Sequence, residues 1–409
     1  MISKRVVWEA WQQVKGNRGA AGIDGESIAA FEERLQDHRY KRWNRMSSGS
    51  YFPPPVRKVE IPKGDGRVRI LGVPTVADRI AQTVVKRYLE PVVDPVFHPD
   101  SYGYRPERSA LQAVGGCRER CWQQDWLIDL DLAAFFDTLP HDLVLKAVRH
   151  HTDLRWIPLS VERWLRAPLQ EADGTLIERT QGSPQGSAIS PVLANRFLHY
   201  AFDAWMARED PTIRFERYCA DMVVHGSSEQ QARMLLAKIT ERLAAGGLEV
   251  NRGKTRIVYC QDDRRDSFHE HTQFDFLGYT FRARPCKDGK RGGSFLGFNP
   301  ANSDAARKRL GQEIRHWRVH LRSDQTLTAL AQRINAEVRG WITYYGRCFP
   351  SVVTPILDRI NGYLVRWARR KYQRLRAHPQ RAWRFLAAVA TREPSLFAHW
   401  QHGARPRAG

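Results

Sequence analysis

Two acidic positions stand where phosphate chemistry could be done. In Trp126-Leu127-Ile128-Asp129-Leu130-Asp131 apolar and acidic residues alternate as in a half-buried strand, and Asp131 ends it. A second strand-like run, Phe215 to His225, is broken in its middle by Cys219-Ala220-Asp221. One carboxylate at a strand end and another at a neighbouring hairpin tip is a compact way to hold hard divalent cations, which take oxygen ligands. Two such ions roughly 4 Å apart support in-line phosphoryl transfer, the chemistry of template-directed polymerisation. Phe136 lies five residues beyond Asp131. In an RNA-templated polymerase an aromatic there would sit under the sugar and exclude a 2′-hydroxyl. Taken alone, the segment reads equally well as a helix capped by Asp131 with Phe136 in the core, and both readings stay open.

Such residues need elements to carry them. The chain has 409 residues, enough for two or three domains with cores of their own. No apolar run approaches the roughly 18–20 residues that span a bilayer, and the first dozen residues lack a signal-peptide pattern, so a cytoplasmic protein is expected. The formal net charge is +21. A surplus this large favours a polyanionic partner, because neutralised phosphates release counterions. The surplus is concentrated: residues 301–409 hold 21 Lys plus Arg, 19 of them Arg, against 6 Asp plus Glu. Arginine's planar fork suits phosphate and stacks on bases. The six cysteines form no CxxC pair and are expected as reduced thiols without zinc. His399 and His402 are expected as solvated residues rather than metal ligands.

The N-terminal 45 residues read as helical around a glycine-rich loop, Asn17 to Gly25. A hairpin is expected from Val56 to Leu71 around Lys63-Gly64-Asp65-Gly66, then a helix from Val76 to Tyr88 capped near Thr75. Helices are expected over Ser190 to Trp205 and Gln230 to Ala244, and a third strand over Phe274 to Phe281. Strands mixed with helices argue an α+β domain with a largely antiparallel sheet. Beyond about residue 300 the periodicity is helical only, over Ala301 to Leu321, Thr326 to Tyr345 and Pro355 to Ala377. The expected division is 1–125, 126–285, a linker 286–300 that includes the mobile loop Lys287 to Gly293, and a basic helical region 301–409.

The second motif, Arg217-Tyr218-Cys219-Ala220-Asp221-Met222-Val223-Val224, resembles the Tyr-x-Asp-Asp hairpin of reverse transcriptases, and most closely those encoded by bacterial group II introns. Further segments are similar to that family, in family order, from Ile61 to Gly346. The resemblance implies a right-hand polymerase fold, with fingers and palm followed by an all-α thumb (domain X). It implies Mg2+ as cofactor, two ions with Mn2+ as a possible substitute, held by Asp131, the Leu132 carbonyl and Asp221. Nucleotide contacts are implied for Lys63 and Arg69 (in Ile61-Pro62-Lys63 through Arg69-Ile70-Leu71-Gly72), for Ala134, Phe135 and Phe136, and for Gln185 and Gly186 (in Ser183-Pro184-Gln185-Gly186). Lys254 is a candidate general acid for pyrophosphate. Template and primer contacts are implied for Tyr102, Arg105 and Pro106 (in Ser101-Tyr102-Gly103-Tyr104-Arg105-Pro106) and for Phe276, Leu277 and Gly278. Arg339, Trp341, Tyr345, Arg366, Arg369, Arg370 and Lys371 would contact RNA from the thumb. The implied partners are group II intron RNA, an RNA template with DNA primer and target DNA, and deoxynucleoside triphosphates, with no membrane.

One departure matters most: Ala220 stands where the family has the first aspartate of the pair. Sliding the register by one residue would match Ala220-Asp221 to the family's Ala-Asp and put Met222 in place of the second Asp, but it needs one residue inserted after Tyr218 and would turn Val223 and Val224 each to the other face of the sheet. The ungapped reading leaves Asp221 as the second carboxylate and the first missing. Nucleotide addition is then expected to be impaired, with RNA binding and splicing assistance retained. An engineered substitution is the reading preferred over natural loss. The chain also lacks the paired cysteines of an HNH endonuclease, as in the endonuclease-lacking members. A domesticated relative acting in defence or repair, and a non-catalytic RNA-binding scaffold, are the alternatives.

Overall fold

The computed structural model describes residues 2–62, 68–287 and 293–407. Lys63 therefore lies outside the described residues. The chain divides into two compact units, Met1–Cys117 with Trp126–Ile257, and Arg118–Asp125 with Val258–Gly409.

In the first unit, helix Lys4–Gly16 buries Val7, Ala10, Trp11 and Val14, the spacing of one helical face. The expected hairpin forms as β1 (Val56–Pro62) and β2 (Val68–Val73), antiparallel with Ile61 opposite Arg69. β1 also pairs in parallel with the two-residue β4 (Leu169–Gln170), itself antiparallel to β5 (Leu176–Ile177). Helix Val76–Val93 begins where Thr75 Oγ1 accepts from Asp78 N at 3.1 Å. It runs past Tyr88 to Val93 with Pro91 inside its last turn, and its first ten residues are buried almost all round. Asp78 is buried yet satisfied, accepting from Tyr51 Oη, Trp164 Nε1 and Gln82 Nε2 at 2.6–2.9 Å.

The central sheet orders β6 (Phe215–Tyr218), β7 (Asp221–Gly226), β3 (Trp126–Asp131) and β8 (Arg256–Tyr259). β7 is antiparallel to both β6 and β3. Leu127, Ile128, Leu130, Met222, Val223 and Val224 are all nearly fully buried, so the sheet's register is strongly specified. The α+β class read from the sequence holds.

In the second unit the stretch Phe274 to Phe281 is a hairpin rather than one strand. β9 (Gln273–Phe276) turns at Leu277-Gly278 into β10 (Tyr279–Lys287), and β10 pairs along its length with β11 (Ser294–Asn302). Much of the expected linker 286–300 is therefore strand, and residues 288–292 lie outside the described residues. Helices Asp304–His316, Leu327–Tyr345, Pro350–Lys371 and Pro379–Arg392 follow. Thr326 and Ser303 cap two of them. Pro350, not Pro355, opens the third, since a proline is tolerated in the first turn. His399 is fully buried, not solvated: Asn361 contacts its Nε2 at 2.9 Å, and burial pushes its pKa down to about 3. No helix of the described residues is long and apolar enough to cross a membrane.

Candidate active site

The site grows from one register fact: in the β3–β7 ladder Asp131 lies directly opposite Asp221. Both are at strand ends, and Asp221 lies between Asp131 of β3 and Tyr218 of β6. After Asp131 the chain keeps to the sheet edge, with Ala133 N donating to Glu249 O at 2.8 Å. It then turns at Ala134, φ 45° and ψ 34°, into the short helix Phe135–Thr138. Asp131 does not cap that helix; Ala134 occupies the cap without a side-chain bond. Phe135 is the core aromatic (4% exposed) and Phe136 is half-buried.

Asp131 is held from one side. Its Oδ2 accepts from Asn251 Nδ2 at 2.9 Å and lies 3.1 Å from Lys254 Nζ, while its carbonyl accepts from Asn251 N at 2.8 Å. Asp221 is the opposite case. Desolvation by the surrounding protein, and then the neighbouring Asp131 charge, raise its pKa, with Lys254 and Arg69 pulling the other way. Two carboxylates repelling each other at a strand end is the electrostatic condition that a bound cation relieves.

The β6–β7 tip is a two-residue turn, with Tyr218 and Asp221 paired across Cys219-Ala220. Cys219 sits at φ 59°, a left-handed conformation costly for a residue with a Cβ. What holds it is Arg217, fully buried. Its guanidinium donates bidentately to Asp203, both at 2.6 Å, and to Asn195 Oδ1, Ser101 Oγ and the Cys219 carbonyl. Burial pushes Asp203 upward, but the Arg217 charge and hydrogen bonds override it and hold Asp203 below the usual carboxylate value. The Ser101–Arg105 segment straps the same tip: Tyr102 N donates to Arg217 O at 2.8 Å, and a Cβ on Gly103 would stand 2.6 Å from Cys219 N. Burial pushes the Cys219 thiol up to about 12, so it is an inert thiol.

The Gln181–Pro191 loop docks between these parts. Gly182 N donates to Leu139 O and Ser183 N to Phe136 O, and Gly182 has φ 83° with Asp137 O where a Cβ would fall. Gln185 O accepts from Gly72 N of β2, and Gly186 (φ 108°) faces Gly72 O. The loop thus ties Arg69's strand to Phe136. The structure brings Asp131, Asp221, Lys254, Arg69, Phe136, Gln185 and Gly186 into one region, with the Leu132 carbonyl and Ala134 on the turn beside them.

Other expected contact residues are engaged within the protein. The Arg105 guanidinium donates to Asp94 and to the carbonyls of Asp94, His98 and Ser101. Tyr102 is buried, whereas Pro106 is exposed. In the second unit Phe276 is buried, and Leu277 (φ 51°) and Gly278 (φ 80°) make the β9–β10 turn. Tyr345 packs beside that turn, 4% exposed, accepting from Arg309. Lys371 donates to the Ser323 and Gln325 carbonyls, and Arg369 to the Arg376 carbonyl. Arg339, Arg366 and Arg370 are exposed, and half-buried Trp341 stacks on Trp317 with centroids 5.1 Å apart. Sequence reasoning missed Asn251, Asp203, Asn195 and Tyr104. A strand-interior arginine such as Arg217 must have a buried acid, which is the signal that could have found Asp203. Tyr104, 51% exposed at φ 55°, stands with its ring 6.2 Å from Tyr218 at the tip.

Residues 61–281 match the family described as reverse transcriptase (RNA-dependent DNA polymerase), over half of the chain. The chain belongs to that family. Residues 307–385 match the group II intron maturase-specific domain. Protein YkfC of Escherichia coli is 34% identical over 300 residues, 62% of this chain and 77% of YkfC. The group II intron-encoded protein LtrA of Lactococcus lactis is 29% identical over 203 residues, 49% of this chain and 33% of LtrA. A putative COX1/OXI3 intron 1 protein of Saccharomyces cerevisiae is 35% identical over 198 residues, 48% of this chain and 23% of that protein. The reverse transcriptase and maturase regions, α+β architecture and family function expected from the motifs are thereby supported; the reverse transcriptase match ends within β10 and the maturase match begins inside helix Asp304–His316.

Proposed function

We propose that this chain binds group II intron RNA as a maturase and holds an RNA template, DNA primer and deoxynucleoside triphosphate in a reverse-transcriptase site that is weakened by Ala220. The observation that carries the reading is the Asp131–Asp221 cross-strand pair, with alanine beside it at the tip. Asp131, the Leu132 carbonyl and Asp221 are hard oxygen donors that suit Mg2+ or Mn2+. Such ions, when bound, neutralise charge on the transferring phosphoryl group. The resemblance puts a further aspartate at the Ala220 position, and without it Asp131, the Leu132 carbonyl and Asp221 would hold one ion better than two.

The chain's own residues have separable tasks. The Phe136 ring would bear on the sugar and reject a 2′-hydroxyl. Lys63, Arg69, Gln185, Gly186 and Ala134 would line the triphosphate, and Lys254, poised on Asp131, would hold a proton for the pyrophosphate leaving group. Asn251 orients Asp131. Arg339, Trp341, Arg366 and Arg370 would meet RNA phosphates and bases from the helical region.

A non-catalytic RNA-binding scaffold is the second reading, and the Lys254–Asp131 ion pair favours it by occupying one donor. Primer extension on an RNA template by Ala220→Asp, against this chain, decides between them. Gain of about a hundredfold or more is expected, since even outer-sphere metal partners are worth about 10–100-fold. Equal, negligible extension by both would overturn the polymerase-site reading. RNA binding by the unaltered chain, measured at moderate salt, tests the maturase part separately.

A further inference from the structure

Away from the carboxylates, the first unit carries a groove of about 750 Å3 between helices His141–Arg149, Ser190–Leu198, Ala204–Glu209 and Glu229–Ala245. None of its lining residues belongs to the motifs that mark the polymerase site. Its floor is apolar, from Ala147, Phe197 and Ala201, and its mouth carries Lys146, Arg149, Arg208, His150, Tyr200 and Trp205. Among the described residues that line it, none is acidic.

The shape has a cause in the backbone. Helix Ser190–Leu198 does not run straight into Ala204–Glu209; a π-helical turn, His199–Asp203, is inserted between them. Such single-turn insertions re-aim side chains and recur at functional sites. Here the turn sets Tyr200 and Ala201 on the groove while Asp203 serves Arg217. Arg242 fixes the turn from the facing helix, donating to the Tyr200 and Ala201 carbonyls at 3.0 and 3.1 Å.

Charge comes from two depths. Lys146, Arg149 and Arg208 are exposed. Among the described residues Arg149 pairs with half-buried Glu162 at 3.8 Å and Arg208 with exposed Glu209 at 2.8 Å, and such pairs at the surface are worth little. Behind the floor, Arg196 is 1% exposed; its Nε donates to the Ala147 carbonyl, and its two terminal nitrogens find no hydrogen-bond partner among the described residues. A buried guanidinium without a counter-charge adds a positive field that salt screens poorly.

We propose that this groove takes an unpaired nucleotide of the bound RNA, its base against Tyr200 and Trp205 and its flanking phosphates on Lys146, Arg149 and Arg208. The inference rests on the RNA-binding reading above and adds a second anchor to it. Aromatic faces accept any base, while the cations follow the backbone, so the recognition is of single-stranded character rather than of sequence.

The test uses the full chain and a uridine oligomer of about twelve nucleotides, within the size that such surfaces span. Lys146→Glu with Arg149→Glu is expected to weaken binding about tenfold and to flatten the salt dependence by about 1–2 in log–log slope. Trp205→Ala is expected to weaken binding about tenfold with the slope unchanged, and Trp205→Tyr, which keeps a stacking face, to stay within about threefold. Photocrosslinks from 4-thiouridine are expected at Tyr200 or Trp205. Variants that melt like the parent and bind within twofold of it overturn the groove while leaving RNA binding intact. A parent that binds no RNA overturns both readings. Sedimentation showing self-association that the charge reversal abolishes would assign the groove to a second copy of the chain instead, and overturn the proposal.

Discussion

Two hairpin tips in this molecule solve one backbone problem by different chemistry. At β6–β7, Cys219 takes φ 59°; at β9–β10, Leu277 takes φ 51°. Each is a branched or thiol-bearing residue where glycine would be easier, so each needs outside support. The first is held by charge: Arg217, with Asp203, Asn195 and Ser101, all buried. The second is held by aromatic side chains from the end of helix Leu327–Tyr345. Tyr344 Oη donates to the Leu277 carbonyl at 2.7 Å, Tyr279 Oη donates to the Tyr344 carbonyl, and the Tyr345 hydroxyl stands 3.2 Å from where a Cβ on Gly278 would be. A buried ion pair gives a tip that tolerates no single deletion. An aromatic clamp gives one that loosens by degrees.

That difference can be broken experimentally. Asp203→Ala leaves the Arg217 charge buried and unpaired, and is expected to cost about 3–5 kcal/mol in urea unfolding of the first unit. A loss below about 1 kcal/mol would mean that the ion pair is not what holds the tip. At the other tip Gly278→Ala, placing a Cβ at φ 80°, is expected to cost about 1–2 kcal/mol, and Tyr344→Phe about 1 kcal/mol. Equal losses at the two tips would erase the contrast.

Acid should separate the tips as well. Asp203 is lowered from 3.8, so its contribution is complete above about pH 4 and is lost as pH falls through its lower folded value. Asp221 runs the other way. Its raised pKa means that the ionised form strains the fold at neutral pH, and the strain is relieved as pH falls through the raised value. Asp221 is exposed and its charge is screened by solvent, so Asp221→Asn is expected to raise stability at pH 7.5 only marginally, and to remove most of the thermal upshift that millimolar Mg2+ gives Ala220→Asp. A destabilised Asp221→Asn protein would show that the carboxylate serves the fold rather than the site. The smallest effect belongs to Leu277→Asn, a gain of a few tenths of a kcal/mol because Asn tolerates the left-handed region better.

Much of this was legible in the residues. The alternation from Trp126 to Asp131, the break at Cys219-Ala220 and the Thr75 cap each express a local rule, and each element forms where the rule places it. The motifs placed Asp131 and Asp221 on adjacent strands of one sheet; that they stand directly opposite each other is a matter of register, which the period of a strand does not set. What stayed hidden was set by distant partners. Leu277-Gly278 sits inside an apolar run, so a turn there is visible only once Tyr344 and Tyr345 are seen to cover it. The β10–β11 hairpin was masked by the glycines and charges of Lys287 to Gly293, which read as a linker. Arg105, expected at nucleic acid from its motif, and Arg369 and Lys371, expected there from the basic helical region, also donate within the protein, Arg105 to Asp94 and three carbonyls and the other two to carbonyls. A sequence shows that a cation is present, but not where its hydrogen bonds go.

The strap across the β6–β7 tip also has a consequence in time. Ser101 and Arg217 are 116 residues apart in sequence, whereas the hairpin's own ladder closes over a handful. Loop closure makes the short ladder quick and the long contact late. During refolding the strands should therefore zip first, with Cys219 free to leave its left-handed conformation, and the tip should lock only when Asp203 and Ser101 arrive. Pulsed hydrogen exchange would register this as protection at Val223, whose amide faces β6, preceding protection at Tyr102 and Arg217. The site's geometry is then among the last features that the unit acquires, and a chain can be compact and sheet-bearing before it is competent to bind.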